Sequence, residues 1–221
     1  TAAVTAFSLG VLALTRPMTA VGVAIPFFIH GVVLVFISRD KTNRLFVVGI
    51  GLVAGLISSL HFVWQYAVTG SAWLNPYELW WPYDKIGFGP DVGLQVGGYS
   101  LRAAYSNTNF SLWIGSHDFF GWPYLSYIFV LFGILALYRN KRAWLAGLIF
   151  PSLVLVYNFY WIGAWLFGPR YYFEGLVSIS LLTAAGIKFL IGKTSNTLAA
   201  YLPARINAIK TVILSSLVCL L

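Results

Sequence analysis

The chain has 221 residues, 59% hydrophobic and only 9% charged. Soluble domains carry about 25% charged residues, so the composition excludes an ordinary water-soluble domain and points to an integral membrane protein in a lipid bilayer. The net charge of +8 would suit nucleic acid, but its placement along the chain makes it a topology signal, and nucleic acid is not expected as a partner.

Hydropathy predicts helix one up to Leu14, helix two over Pro17 to Ser38 and helix three over Leu45 to Val68. After the long interruption described below, helix four covers Trp122 to Tyr138, helix five Ala143 to about Tyr160, and helix six Pro169 to Ile191. A partial helix seven begins near Lys210. The expected fold is all-α: a polytopic bundle of about six to seven transmembrane helices with one long outer loop containing short interfacial helices. The core is 1–191 with its loop at 69–118, and 192–221 is a cytoplasmic connection with a truncated final helix. The run from Thr211 to Leu221 would rise only about 16 Å against a hydrocarbon core of about 30 Å. The chain therefore reads as a fragment of a larger membrane protein. Its single cysteine, Cys219, allows no internal disulfide.

The connections alternate in charge. Arg39, Lys41 and Arg44 follow helix two, and Arg139, Lys141 and Arg142 follow helix four. Lys188, Lys193, Arg205 and Lys210 end or follow helix six, which places ten of the 14 basic residues on one side. The positive-inside rule makes that side cytoplasmic and puts loop 69–118 outside, with a bacterial inner membrane as the expected location.

The loop from Thr69 to Asp118 holds Glu78, Asp84, Asp91 and Asp118, four of the six carboxylates. Connections of this length are functional or disordered, and this one has too many aromatic residues for simple disorder. Pro76, Pro82 and Pro90 punctuate it, and Tyr99 to Phe110 suits a short interfacial helix. Trp73, Trp80, Trp81, Tyr83 and Trp113 suit an aromatic belt at the headgroups; the same rings beside carboxylates also suit sugar stacking or a polyprenyl chain.

Helices two, four and six each have proline near the predicted start: Arg16-Pro17, Trp122-Pro123 and Pro169-Arg170. Proline fits the first helical position, so three positive dipole ends would face outward. An arginine there is unfavourable without an anion, and phosphate would use both the N–H groups and the guanidinium. The alternatives are a pair between Arg170 and Glu174 one helical turn on, and snorkelling of Arg16 to lipid headgroups. On helix three, Ser58, His61 and Gln65 share one face, either as a polar wall to an outward cavity or as interhelical hydrogen bonds. His30 reads as structural. Glu78, Asp84 and Asp91 can serve as acid, base or metal ligand, or simply as solvated loop charges. His117-Asp118 is a sequence neighbour pair and a weak dyad. The chain has no HExxH, CxxC or GxSxG motif.

As a set, the Arg-Pro helix start, NPYELWWPYDKIGFGP, NTNFSLW, FFGWP and GPRYYFEG resemble the C superfamily of membrane glycosyltransferases. More narrowly, they resemble bacterial relatives of the dolichyl-phosphate-mannose protein mannosyltransferases, including the lipid A aminoarabinose transferases. The resemblance runs from about Gly10 to Ile191. It implies inverting transfer of a sugar from a polyprenyl-phosphate donor to an acceptor, which the sequence does not identify, at the outer membrane face. It also implies a catalytic acid in a first outer loop upstream of Thr1, so the fragment is expected to be inactive alone. Arg16 and Arg170 map to phosphate binding. The candidate substrate-binding residues are Arg16, Arg170, Glu174, His61, Gln65, Tyr83, Asp84, Asp91, Arg102 and Asn107. No cofactor is assigned, and a divalent metal stays open. A transporter or lipid flippase subunit is the alternative, although charges clustered at helix ends rather than mid-span favour surface chemistry.

Overall fold

The structure, a computed structural model, describes residues 2–165, 168–201 and 211, with side chains over 2–165, 168–192 and 211. The expected partial seventh helix, Cys219 and most of the 192–221 connection lie outside these residues. Every element among the described residues is a helix: α1 (Ala2–Thr15), α2 (Pro17–Ile37), α3 (Lys41–Thr69), α4 (Tyr77–Trp80), α5 (Leu101–Asp118), α6 (Ile128–Leu137), α7 (Lys141–Gly147), α8 (Ile149–Tyr157), a 3-10 turn (Arg170–Gly175) and α9 (Leu176–Tyr201).

Local chemistry sets these boundaries. Asp40 caps α3 by accepting from the Thr42 amide at 2.9 Å, and Asn140 caps α7 by accepting from the Arg142 and Ala143 amides. Ser100 caps α5 through the Ala103 amide. These are the side chains that best satisfy the orphan N–H groups of a first helical turn.

Three segments are long and apolar enough to cross a membrane: Pro17–Ile37, Lys41–Thr69 and Arg170–Gly192. Only 17%, 6% and 28% of their most apolar windows are buried. Phe28, Phe36, Leu52 and Leu56 are among the large side chains left facing outward. Apolar surface on that scale is stable against hydrocarbon and not against water, which points to membrane association.

The other apolar helices are shorter than their hydropathy predicts. Helix four was expected from Trp122 but begins at Ile128. Residues 121–127 form a turn instead, with Tyr124 at φ 59°, a conformation that ends helical propagation. Helix five is interrupted at Leu148, between α7 and α8. Pro151 lacks the N–H that would bond to Gly147 four residues earlier, and on either side of that gap the Leu148 amide bonds to the Trp144 carbonyl and the Ser152 amide to the Leu148 carbonyl. Conversely, α5 runs the full length from Leu101 to Asp118, well past the expected short helix ending at Phe110.

The helices meet where side chains are small. Pro26 inside α2 removes the amide that would bond to the Gly22 carbonyl. The Ser152 hydroxyl of α8 donates to that carbonyl at 2.6 Å, and Gly22 itself lies against Leu153. A neighbouring helix thus satisfies the group that proline frees. At the α6–α9 crossing, Gly133 abuts the Leu182 backbone and Gly186 abuts the Phe129 backbone, leaving no room for a Cβ on either. Small residues that let backbones touch are the usual cement of helices in lipid.

Loop 70–100 and α5 form a layer over one end of the bundle. A buried cluster of Phe119, Ile149, Leu153, Tyr157, Tyr172 and Ile179 ties the end of α5 to α8 and α9. Single antiparallel bridges, Ile86 with Tyr160 and Gly89 with Tyr99, hold the loop to the connection after α8 and to itself. The second bridge needs Gly98, whose φ of 80° and contact with the Gly89 carbonyl admit no side chain.

Candidate functional site

The polar side chains of the loop end converge on a ladder of tyrosines. Arg16, in the one-residue link between α1 and α2, bonds through Nη1 to Glu174 Oε1 at 2.6 Å. The first turn of α2 also reaches α8, where Thr19 Oγ1 and the Tyr157 hydroxyl are 2.6 Å apart. The Tyr157 ring stacks on Tyr171 with centroids 4.8 Å apart. Arg170 lies over that same Tyr171 ring at 4.8 Å and donates from Nη2 to its hydroxyl at 2.7 Å. Tyr171 meets Tyr160 edge-on, with centroids at 5.6 Å. Tyr160 in turn donates its hydroxyl to Asp84 Oδ1 at 2.9 Å, and the Trp161 indole N–H donates to the same oxygen at 2.9 Å.

The α2 start, the 3-10 turn, the connection after α8 and loop 70–100 therefore share one node. Four candidates, Arg16, Glu174, Arg170 and Asp84, belong to it. Tyr83 adjoins it by packing edge-on against Trp161 at 5.7 Å. Burial is the main reason the Tyr160 hydroxyl resists ionisation, with Tyr171 and Asp84 adding to the shift, so it stays a donor to the carboxylate.

One alternative for Arg170 is corrected. Glu174 does not pair with Arg170; its partner is Arg16. The i, i+4 argument assumes an α-helix, but Arg170–Gly175 is a 3-10 turn. With three residues per turn, position 174 is rotated about a third of a turn away from position 170. The anion that the Arg16 position calls for is thus supplied, in this structure, by the protein itself. The expected trio of proline-led helix starts is also corrected. Pro17 opens α2, but Pro123 lies in the turn before α6 and Pro169 precedes the 3-10 turn rather than an α-helix.

The remaining candidates lie elsewhere. Asn107 is buried and fully employed: Nδ2 donates to the Trp161 carbonyl at 2.7 Å, and Oδ1 accepts from the Trp165 indole at 3.3 Å. Thr108 and Ser111 on the same helix bond to Asn158 and to the Ala164 amide. Asn107 therefore docks α5 onto the 158–165 connection. Tyr99 strengthens that junction by donating to the Asn158 carbonyl at 3.0 Å. Burial, opposed by the Asn107 side chain, pushes its hydroxyl up to about 12.

On α3, Ser58 bonds to its own helix at Ala54, Gln65 is buried, and His61 lies half-buried beside Phe62 and Trp64. Asp91 and Arg102 are exposed. Among the described residues, no hydrogen bond, ion pair or ring contact joins His61, Gln65, Asp91 or Arg102 to the node. Sequence reasoning missed Tyr157, Tyr160, Trp161 and Tyr171. The available signal was the aromatic density of YNFYW and RYYFE, which flanks the connection after α8 on both sides.

No three His, Cys, Asp or Glu side chains gather as a metal site among the described residues. Two apolar cavities lie away from the node. One of about 220 Å³ sits between α6, α7–α8 and α9, and one of about 410 Å³ between α1 and α3. Comparison of the chain with protein-family models, curated proteins and solved structures finds no match. What the node offers chemically is two guanidinium groups, two carboxylates and a row of phenols at one end of an apolar bundle. That is a set able to bind and orient an anionic headgroup.

Proposed function

We propose that this chain is the donor-binding part of a membrane glycosyltransferase that moves a sugar from a polyprenyl-phosphate carrier to an acceptor at the outer membrane face. In this reading α1, α2, α3, α6, α7–α8 and α9 are six crossings of a polytopic bundle, and loop 70–100 with α5 covers its outer end. The membrane is the bacterial inner membrane. Arg16 and Arg170 bind and stabilise the departing lipid phosphate, as charge developing on a leaving group requires. The general base comes from another part of the enzyme.

The observation that carries the reading is one tyrosine stack that Arg170 covers, that Thr19, three residues after the Glu174-bound Arg16, bonds at Tyr157, and that the outer-loop carboxylate Asp84 bonds at Tyr160. Chemistry on a greasy donor needs cations at the rim of the bundle, where the headgroup meets water. A transporter would instead place its charged groups near the midplane.

The test is lipid-linked sugar transfer by membranes carrying the whole gene product. Arg16→Ala or Arg170→Ala should each lower transfer about tenfold or more, the loss expected for one charge-assisted contact of about 1.5–3 kcal/mol. Membrane insertion and expression should be unchanged. Unaltered transfer in both variants would remove the assigned roles.

A further inference from the structure

The Arg16–Glu174 pair, 2.6 Å between Nη1 and Oε1, has two features of a displaceable contact. It is only partly sheltered, with the Arg16 side chain 53% exposed and that of Glu174 27% exposed, and pairs with that much water around them are weak. It is also lopsided: Glu174 Oε2 is buried and has no hydrogen-bond partner among the described residues. A carboxylate normally uses both oxygens on a guanidinium, and a buried oxygen without a donor opposes the contact that holds it there. Glu174 therefore occupies the place of an anion without completing it. The helix start behind Arg16 has no side-chain cap either.

We propose that Glu174 is an internal competitor for the anion that Arg16 binds. In the empty site the carboxylate holds the guanidinium in place. A phosphate group, with more charge and more acceptor oxygens, takes the guanidinium over, and Glu174 swings toward water. The pair thus works as a latch that keeps Arg16 positioned but closed to weak anions. This rests on the phosphate-binding reading above and adds a selectivity device to it.

The experiment uses the full chain in phosphatidylcholine nanodiscs, with and without a doped polyprenyl monophosphate, and reads binding by intrinsic tryptophan fluorescence. Glu174→Gln keeps the shape and removes the charge. It should tighten phosphate binding about two- to fivefold, the range expected for releasing a half-exposed ion pair. Arg16→Ala should weaken binding, and adding Glu174→Gln to Arg16→Ala should change nothing more. A parallel titration with inorganic phosphate in undoped discs locates the source of the anion; tightening there alone would support the latch and make the ligand a soluble phosphate. A melting curve for each variant, with Glu174→Asp as a second and milder change, separates unfolding from altered binding. If Glu174→Gln binds no tighter than the parent while Arg16→Ala binds more weakly, the latch is overturned and the phosphate site stands. If Arg16→Ala binds as well as the parent, the phosphate site itself fails and takes the latch with it.

Discussion

Asp84 is the residue on which loop 70–100 turns. One of its oxygens accepts from both the Tyr160 hydroxyl and the Trp161 indole, each at 2.9 Å. Asp84→Ala would leave two half-buried donors without an acceptor, at about 1–3 kcal/mol. The expected result is faster proteolysis or hydrogen exchange in residues 84–93 with the helices intact, while Asp84→Asn, which keeps an acceptor, should retain most of the protection. Equal protection in Asp84→Ala would show that the bridges and ring contacts hold the loop unaided. At this scale the candidates divided by their partners. A carboxylate and two arginines could be picked out as chemically able, but spacing alone could not say that Glu174 reaches Arg16 across 158 residues rather than Arg170 across four. Asn107 is the opposite case, since a polar residue in an aromatic stretch turned out to be a docking amide.

Among the elements, the α6–α9 crossing depends on two glycines whose missing side chains let the backbones touch. Gly133→Leu would drive a side chain into the Leu182 backbone, and overpacking of this kind costs about 1–3 kcal/mol or more. A lowered melting temperature in detergent is expected, with a like effect for Gly186→Leu. Gly49, which has nothing near it, should tolerate the same change. The positions of helices were legible from apolar runs and the start of α2 from Pro17, whereas the caps Asp40 and Asn140 set starts ahead of the expected Leu45 and Ala143. The late start of α6, the break at Leu148 and the length of α5 were less so. These depend on a left-handed Tyr124, on helical bonds lost before Pro151 and on side chains of α5 bonding to a distant connection.

For the whole molecule, sidedness is the property that the chemistry needs. In a Cys219→Ser background, Leu94→Cys in the loop should react with a membrane-impermeant maleimide on intact cells. Tyr138→Cys, beside the basic connection, should react only after permeabilisation. The reverse pattern would place the loop in the cytoplasm and end the case for outer-face chemistry. What the sequence by itself determined was the helical class, the apolar spans and the bias of basic residues to alternate connections. Those signals are local: each segment's transfer into lipid, and each loop's charge, is a sum over neighbours in the chain. Only the tertiary structure decided that Arg16, Glu174, Arg170 and Asp84 share one node, and that tyrosines from two separate elements join them. Such contacts depend on how helices cross and on whether a turn is wound as 3-10 or α, and the distances involved are set by packing across the bundle rather than by spacing along it.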